Sequence, residues 1–213
     1  MLSIQQFVFN DFQENTYVIW DETLNCAIID PGCSNAKEEI ELKSFIQTNG
    51  LKPTHLLNTH CHIDHILGNM FVVNTYKLPL YMHEEELFTY ADTDRWAAMF
   101  GLPKFEIPDK KIYLKENDPL KIGNTPLTIL FTPGHSIASI SFYEPTSNTL
   151  ISGDVLFYES IGRTDLPGGS FPRLEQSIKN VLFRLPDQTK VFSGHGPATS
   201  IGHEKANNPY VGK

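Results

Sequence analysis

Four side chains that can bind a metal ion lie within six consecutive residues of this sequence. They are His60, His62, Asp64 and His65. Neutral imidazole and carboxylate are the ligands that proteins offer to a reactive zinc-type ion. The run follows an apolar segment at 54–59 that predicts a short strand, so these side chains should lie at its carboxyl end. The motif therefore predicts a metal site at the edge of a sheet.

Side-chain direction divides this motif into two parts. In an extended chain His60 and His62 point to the same side, and Cys61 points to the other. Cys61 is therefore predicted to pack in the core rather than to bind the ion. Asp64 and His65 return to the site only when the chain turns into the following helix. One motif can thus serve two neighbouring metal positions.

Three further ligand-type residues each follow an apolar run and a glycine. They are His135, Asp154 and His195. The preceding glycine permits a sharp turn that aims the next side chain. A single histidine or aspartate in this setting is more often a turn residue, but together with the first motif they predict one site of five histidines and two aspartates. The other histidines, His55, His83 and His203, lack this setting and are predicted to be structural.

The composition is that of an ordinary globular protein. Of 213 residues, 40% are hydrophobic and 20% are charged, which predicts a substantial core and no extended disorder. The formal net charge is −8 and no run of basic residues is present, so we expect no nucleic-acid partner. No apolar stretch reaches about 18 residues, so the sequence predicts no membrane-spanning helix and no membrane partner.

The cysteines and the first residues of the chain indicate the cellular compartment in which the protein is expected. The chain has three cysteines, Cys26, Cys33 and Cys61. An odd, small number of cysteines is typical of free thiols in a reducing compartment. The start of the chain shows neither the basic region nor the apolar region of a signal peptide. We therefore expect a cytoplasmic protein without a Cys26–Cys33 disulfide. The sequence predicts no particular oligomeric state.

Apolar runs and turn residues predict two strand-rich halves with helices. The predicted strands are 4–9, 16–20, 26–29, 54–59, 80–82, 111–114, 120–122, 127–131, 140–143, 149–152 and 190–192. The predicted helices are 66–73, 173–185, 201–207 and one that Asn35 caps and Gly50 ends. Ile40, Leu42, Phe45 and Ile46 should form the apolar side of this last helix. The pattern predicts an α/β (α+β) fold in which helices cover the outer faces of sheets.

Residues 84–110 differ from the strand-rich parts. Two short helices are predicted at 84–88 and 94–100, and Pro103 and Pro108 interrupt the chain beyond the second helix. We interpret the segment as an inserted lobe or lid in a single domain that spans 1–213. A solvated connector is the alternative interpretation, because long connections are often either functional or mobile.

With these motifs in this order, the sequence resembles the metallo-β-lactamase superfamily. The likeness consists of His-x-His-x-Asp-His at 60–65, then Gly-His135, Gly-Asp154 and Gly-His195. It covers nearly the whole chain. The resemblance implies a four-layer αββα sandwich with the site at one edge between two sheets. It also implies that His60, His62 and His135 hold one metal ion, that Asp64, His65 and His195 hold a second, and that Asp154 bridges them.

Within the superfamily the sequence is most similar to glyoxalase II, in particular to its short bacterial hydrolases. The runs at 154–168 and 193–199 carry this likeness. Larger glyoxalase II enzymes add a C-terminal helical domain that helps to bind glutathione, and this sequence ends at Lys213 without a counterpart. The Gly-Arg-Thr-Asp run at 162–165 is also similar to persulfide dioxygenases, which share the fold and use a single iron. The identity of the thiol therefore stays open.

Together the ligand set and the resemblance imply a mechanism with two divalent ions, zinc in the first place and iron or manganese as alternatives. Two ions about 3.5–4 Å apart acidify a shared water, and the hydroxide attacks a thioester or ester carbonyl. Asp64 would orient that hydroxide as a catalytic residue. The two ions less two carboxylates and a hydroxide leave about +1 at the site, which favours an anionic substrate.

Two residues are predicted to bind the substrate. The guanidinium of Arg163 is close enough along the chain to grip a substrate carboxylate, although an internal salt bridge with Asp165 is the alternative. Tyr158 is predicted to line the pocket with Phe157, although core packing would explain both equally well.

Several functions remain open on this scaffold. The first is a glyoxalase II-like thioester hydrolase with two metal ions. The others are a persulfide dioxygenase with one iron, an ester or lactone hydrolase of the same fold, and a non-enzymatic metal-binding module. The mixed histidine and aspartate ligands argue against the last, because structural zinc sites are closed and rich in cysteine. β-Lactam hydrolysis is disfavoured by the missing export signal, and nuclease activity by the negative charge.

Overall fold

The computed structural model describes residues 2–101 and 106–212, which form strands in two large sheets with helices outside them. The strands are β1 (Ser3–Phe9), β2 (Glu14–Trp20), β3 (Asn25–Ile29), β4 (Lys52–Leu57), β5 (Leu80–Met82), β6 (Lys111–Tyr113), β7 (Leu120–Ile122), β8 (Thr125–Phe131), β9 (Ile140–Glu144), β10 (Thr149–Gly153), β11 (Leu156–Phe157), β12 (Ser160–Ile161), β13 (Lys190–Ser193) and β14 (Thr199–Ser200). The helices are α1 (Ala36–Thr48), α2 (Asn69–Tyr76), α3 (Leu87–Ala91), α4 (Thr93–Met99), α5 (Phe171–Asn180) and α6 (Ile201–Asn207). Short 3-10 turns occur at Ile63–His65, Glu84–Glu86 and Leu182–Arg184.

Each large sheet has six strands and mixes parallel with antiparallel pairs. The first has the order β1-β2-β3-β4-β5-β6, antiparallel from β1 to β3 and parallel from β3 to β6. The second has the order β14-β13-β10-β9-β8-β7, in which only β10 and β13 are parallel. Strands β11 and β12 form a separate hairpin. Because β8, β10 and β13 run in the same direction, their carboxyl ends meet at one edge.

Alternating side chains divide the core into three layers. In β2, Val18 faces helix α1 together with Leu42, whereas its neighbour Ile19 faces the second sheet. The layer between the sheets is closed from the other side by residues such as Phe142. The third layer packs Leu174 of α5 against the outer face of the second sheet. These layers confirm the predicted four-layer αββα sandwich.

Backbone hydrogen bonds join the two sheets at the edge where the strand ends meet. The amide of Ile140 donates to the carbonyl of Thr59 at 2.9 Å, and the amide of Asn15 donates to the carbonyl of Gly194 at 2.7 Å. The hydroxyl of Tyr17 donates to the carbonyl of Ser193 at 2.6 Å. The loops that leave these strands are therefore held to each other by the fold itself.

The predicted elements are largely confirmed, with differences at boundaries. The helix predicted at 66–73 begins only at Asn69, because Ile63–His65 forms a 3-10 turn first. The helix predicted at 173–185 ends at Asn180. The prediction that Ile40 belongs to the buried apolar side of α1 is wrong, because its side chain is 64% exposed. Ile40 lies about half a helical turn away from the buried Leu42. The short strands β11, β12 and β14 were not predicted.

Two expectations about thiols and membranes can be compared with the structure. Cys26, Cys33 and Cys61 are all buried and free, as predicted. Cys61 lies in the core between the first sheet and its helices, which confirms that it packs rather than faces the histidines. No helix of residues 2–101 and 106–212 has the length and apolar character needed to cross a membrane.

Candidate metal centre

The seven predicted ligand residues come together at the joined edge of the two sheets. Potential ligand atoms of His60, His62 and His135 lie within 4.8 Å of one another, and those of Asp64, His65 and His195 form a second such group. His60 and His62 lie on the loop after β4, and Asp64 and His65 lie on the 3-10 turn after that loop. His135, Asp154 and His195 follow the ends of β8, β10 and β13.

Asp154 lies between the two groups. Its Oδ2 is 3.4 Å from Nε2 of His135 and 3.5 Å from Nε2 of His195, and its Oδ1 is 3.4 Å from Nε2 of His65. In the second group, Nε2 of His195 is 3.1 Å from Oδ2 of Asp64. One carboxylate thus contacts histidines of both groups, which is the position of a bridging ligand.

The Nδ1 atoms of four histidines are engaged by the protein, which directs their Nε2 atoms toward the site. Nδ1 of His135 donates to the carbonyl of Arg163 at 2.8 Å, and Nδ1 of His195 lies 3.2 Å from the carbonyl of Gln13. Nδ1 of His60 is 3.1 Å from the hydroxyl of Thr59, and Nδ1 of His65 is 3.2 Å from Oδ2 of Asp30. Such partners hold a metal-binding imidazole in one tautomer and orientation.

His62 differs because its Nδ1 faces the site. This atom is 2.8 Å from Nε2 of His135, so two ring nitrogens converge on one point. Burial, reinforced by the neighbouring His135, lowers the pKa of His62 to about 3. Burial likewise lowers the pKa of His60 well below its usual value. Both rings are therefore neutral at pH 7, the form that binds a metal ion.

Atoms left without a partner show that this donor set fits metal ions. Nε2 of His60, Nε2 of His65 and Oδ1 of Asp154 are buried without a hydrogen-bond partner. Leaving such groups unpaired costs about 1–3 kcal/mol each. Nε2 of His65 and Oδ1 of Asp154 face each other at 3.4 Å without a hydrogen bond. Three buried ligand-type atoms without a hydrogen bond at one site are explained when they coordinate cations. The mixture of imidazole and carboxylate suits zinc, iron or manganese.

The carboxyl groups at the site are ionised. Burial alone would raise the pKa of Asp154, but His65 and the other facing histidines outweigh it and hold that pKa well below its usual value. The pKa of Asp64 is also lowered: burial opposes the shift, and His65 and His195 produce it. Two negative charges therefore face the point where the two histidine groups meet.

Asp30 supports the site and was not predicted as a functional residue. Its Oδ1 accepts hydrogen bonds from the amide of Thr59 at 2.7 Å and from the side chain of Asn58 at 3.2 Å. Its Oδ2 accepts from the Thr59 hydroxyl at 2.6 Å and faces Nδ1 of His65. Asp30 could belong to a third donor group with His60 and His65, but these bonds already occupy both oxygens. It therefore orients His65. Asp30 directly follows a strand, as the other site residues nearly do, but the glycine comes after Asp30 rather than before it.

Glu86 is a second supporting carboxylate that the sequence did not reveal. It is completely buried, although it is the last residue of a run of three glutamates. Its Oε2 accepts from the amide of Cys61 at 2.9 Å. Its Oε1 accepts from the hydroxyl of Ser136 at 2.6 Å and from the amide of Ala138 at 2.9 Å. Glu86 thus ties the His60–His62 loop to the loop that begins after His135.

Glu14 is buried beside the same ligands. Its Oε2 accepts from the hydroxyl of Thr16, and its Oε1 is 3.8 Å from Nδ1 of His65. Burial raises the pKa of Glu14 well above its usual value. No sequence pattern around Glu14 signals this position, because the sequence predicts a polar turn at Glu14, whereas Glu14 is the first residue of β2.

The glycines before the ligands act in two ways. Gly134 and Gly153 have φ angles of +133° and +52°, a region that favours glycine, as the turn argument predicts. Gly194 has no such angle. It is required by space, because an added Cβ would collide with Oδ1 of Asp154 and would lie 2.6 Å from Cε1 of His65.

A cavity of about 420 Å³ opens above the two donor groups. Five of the predicted ligands, His62, Asp64, His135, Asp154 and His195, line it, while His60 and His65 are buried beneath. Phe157 lines the cavity, which confirms the prediction for this residue. The remaining lining is largely apolar and includes Phe12, Trp96, Phe100, Ile161 and Leu166. Trp96 belongs to α4, so the 84–110 segment forms part of the cavity wall.

The two predicted substrate-binding residues differ in position. Arg163 lines the cavity, but its guanidinium makes two hydrogen bonds of 2.7 Å to Asp165, the salt bridge considered as the alternative. Tyr158 is not among the described lining residues. Its ring stacks on His203 at 5.0 Å between centroids and is 46% exposed, so the geometry offers no support for substrate binding by Tyr158.

The three histidines predicted to be structural lie outside this cavity lining. His55 contacts the ring of Tyr81, and Nδ1 of His83 accepts from the amide of Glu85 at 3.3 Å. Nε2 of His203 is 3.0 Å from Oε1 of Glu159. Each of these rings therefore has a local protein partner.

Comparison with known proteins agrees with this geometry. The family model of the metallo-beta-lactamase superfamily matches residues 9–195. The chain belongs to the metallo-beta-lactamase superfamily. Within this superfamily it is 40% identical over 204 residues to the probable metallo-hydrolase YqgX of Bacillus subtilis, covering 93% of this chain and 92% of that protein. It is 35% identical over 213 residues to the hydroxyacylglutathione hydrolase GloC of Haemophilus influenzae, covering 99% and 98%.

Two solved structures of the superfamily superpose over nearly the whole chain. The di-iron-bound form of TTHA1623 has a TM-score of 0.86 and 35% identity, covering 97% of this chain and 99% of that one. The B3 metallo-beta-lactamase BLEG-1 has a TM-score of 0.85 and 34% identity, covering 98% and 99%. The protein is accordingly a metallo-hydrolase of this superfamily, and its fold is one that binds divalent metal ions.

Proposed function

We propose that this superfamily member hydrolyses thioesters with two divalent metal ions. The observation that carries the proposal is the position of Asp154, whose carboxylate contacts histidines of both three-residue donor groups. The likeness to a hydroxyacylglutathione hydrolase over nearly the whole chain supports thioesters as the substrate class. Zinc is the proposed metal, and iron is supported by the di-iron form of a similar protein.

The proposed ligands are those in the two groups together with Asp154. His60, His62 and His135 would hold one ion, and Asp64, His65 and His195 would hold the other. When bound, such ions polarise a carbonyl and acidify a water molecule so that it becomes nucleophilic near neutral pH. The protein contributes a fixed donor arrangement, because Thr59, Asp30 and the carbonyls of Gln13 and Arg163 orient the rings.

Asp64 is the proposed catalytic residue. Its side chain lines the cavity, and its Oδ2 contacts Nε2 of His195. Because the pKa of Asp64 is lowered, the carboxylate is available at neutral pH to orient a water molecule and to accept its proton.

An assay of several reactions tests the proposed function. Zinc-loaded protein and, separately, iron(II)-loaded protein are incubated with S-D-lactoylglutathione, an acetyl thioester, a lactone, a cephalosporin and glutathione persulfide, and bound metal, product release and oxygen uptake are recorded. We expect thiol release from the thioesters at a kcat/KM at least about tenfold above that of the lactone and the cephalosporin. Oxygen uptake with the persulfide, one bound iron and no thiol release would support a dioxygenase and reject the proposal.

A further inference from the structure

An aromatic wall forms one side of the cavity above the candidate metal centre. Its members are Phe12, from the turn between β1 and β2, and Trp96 and Phe100, from α4 and the residue after it. The rings of Phe12 and Phe100 meet edge to face with centroids 5.0 Å apart. Those of Trp96 and Phe100 are stacked at 6.1 Å with an interplanar angle of 19°. Elements far apart in the chain thus join their rings over the site.

These rings remain partly open to solvent. Phe100 is 47% exposed, and Phe12 and Trp96 are only half-buried. Ile161 and Leu166 also line the cavity, and Leu166 lines a small adjoining pocket together with Trp96. An aromatic ring that enters the cavity would cover the apolar surface of these residues, which is favourable. The opening therefore has the walls expected for a flat, apolar group.

Charged groups on the described walls do not match a polyanionic ligand. Apart from histidines, Arg163 is the only cationic residue among the described residues that line the cavity. Both oxygens of Asp165 occupy its guanidinium at 2.7 Å. The ion pair with Asp165 offsets much of the positive charge that Arg163 could present to a substrate carboxylate. Contacts with the aromatic wall do not depend on this charge.

We propose that the site prefers thioesters that carry an aryl group, held by Phe12, Trp96 and Phe100, over thioesters recognised through a charged thiol such as glutathione. This inference rests on the proposed thioester hydrolysis. Specificity would come from the apolar part of the substrate, and the metal centre would act on the thioester carbonyl. The aryl group can belong to the acyl side or to the thiol side of the ester.

Four esters of alkyl thiols test the proposal with the zinc-loaded enzyme. They are S-phenylacetyl-N-acetylcysteamine, S-benzyl thioacetate, S-acetyl-N-acetylcysteamine and S-acetylglutathione. The first two place a phenyl ring on the acyl side and on the thiol side. We expect at least one of them to exceed the plain acetyl ester by about ten- to thirtyfold in kcat/KM, with no advantage for the glutathione ester.

Variants locate the effect at the aromatic wall. Phe100→Ala should reduce kcat/KM for the preferred aryl ester about fivefold or more relative to kcat/KM for the plain acetyl ester. Met99→Ala is the matched control, since Met99 is 61% exposed on the same helix and is not among the described lining residues. Calorimetric titration with the thioether S-benzyl-N-acetylcysteamine should show weaker binding to Phe100→Ala than to Met99→Ala.

The outcomes separate this inference from the proposed function. Equal kcat/KM for the four esters, or a clear preference for S-acetylglutathione, would overturn the aryl preference while thioester hydrolysis stands. An aryl preference that survives in Phe100→Ala and in Trp96→Leu would overturn the role of the aromatic wall. If the zinc-loaded protein hydrolysed none of the esters, the proposed function would fall, and this inference with it.

Discussion

Replacing Asp154 with alanine is expected to lower kcat/KM for thioester hydrolysis by at least about a thousandfold, because several kcal/mol of transition-state stabilisation depend on the paired ions. Asp154 contacts His135 of one donor group and His65 and His195 of the other. Without this carboxylate, the two proposed metal positions would lose the ligand that they share. We therefore also expect the metal content to fall from about two ions per chain toward one.

Metal analysis and steady-state kinetics on the same preparation measure both effects. Asp109→Ala is the control, because Asp109 is exposed and does not line the cavity. Circular dichroism should show that Asp154→Ala keeps the fold, since the three core layers do not depend on this side chain. If the variant retained two ions per chain and its full activity, Asp154 would not bridge the centre.

Replacing Glu86 with alanine should have the largest effect on stability. Three buried hydrogen-bond donors, the amides of Cys61 and Ala138 and the hydroxyl of Ser136, would lose their acceptor. At about 1–3 kcal/mol for each unsatisfied group, the free energy of unfolding should fall by about 3 kcal/mol or more. Urea denaturation of the metal-free protein measures this change.

The same substitution should weaken metal binding without removing a ligand. The amide of Cys61 lies between His60 and His62, and Ser136 directly follows His135, so loss of Glu86 frees both loops of the first donor group. We expect about ten- to hundredfold lower zinc affinity. Glu85→Ala is the matched control, since Glu85 is the exposed neighbour in the same turn. A stability loss below about 1 kcal/mol together with unchanged zinc affinity would contradict the role of Glu86.

The sequence indicated which ligand-type residues meet at one site, because their signals are local. The spacing in His60–His65 and the glycine before His135, Asp154 and His195 are properties of short segments. The apolar periodicity of the strands is local as well. Their carboxyl ends meet at one edge because the parallel strand directions bring them there. The meeting of these residues at one edge could therefore be anticipated, whereas the four-layer sandwich and the assignment to two groups followed from the resemblance to the metallo-β-lactamase superfamily.

The supporting residues could not be predicted in the same way, because their partners are distant in the chain. Glu86 belongs to an acidic run that looks solvated, yet it is buried against residues about 25 and 50 positions away. Phe12 lies in the turn between β1 and β2, and Glu14 is the first residue of β2. Their contacts with the site exist only after distant parts of the chain pack together. The place of Tyr158 beside Phe157 predicts that it lines the cavity, but a tight hairpin directs it toward His203 instead.

The position of the aromatic wall could not be predicted from the sequence of the 84–110 segment either. The sequence predicts short helices at 84–88 and 94–100; α4 confirms the second, and the first is a 3-10 turn at Glu84–Glu86 that leads into α3. That Trp96 and Phe100 would meet Phe12 over the metal centre depends on how this segment docks on the rest of the fold. The interpretation of the segment as a lid remains a prediction, and Pro103 lies outside the described residues.

Zinc titration of the metal-free protein, with bound metal and thioester hydrolysis measured at each step, tests the central claim most directly. We expect about two zinc ions per chain at saturation, no hydrolysis after chelation, and recovery of hydrolysis as zinc is restored. The titration should show no third zinc ion bound at this site after the first two. Hydrolysis that persists at the full rate in chelated, metal-free protein would contradict the assignment of this centre as a metal-dependent thioester hydrolase.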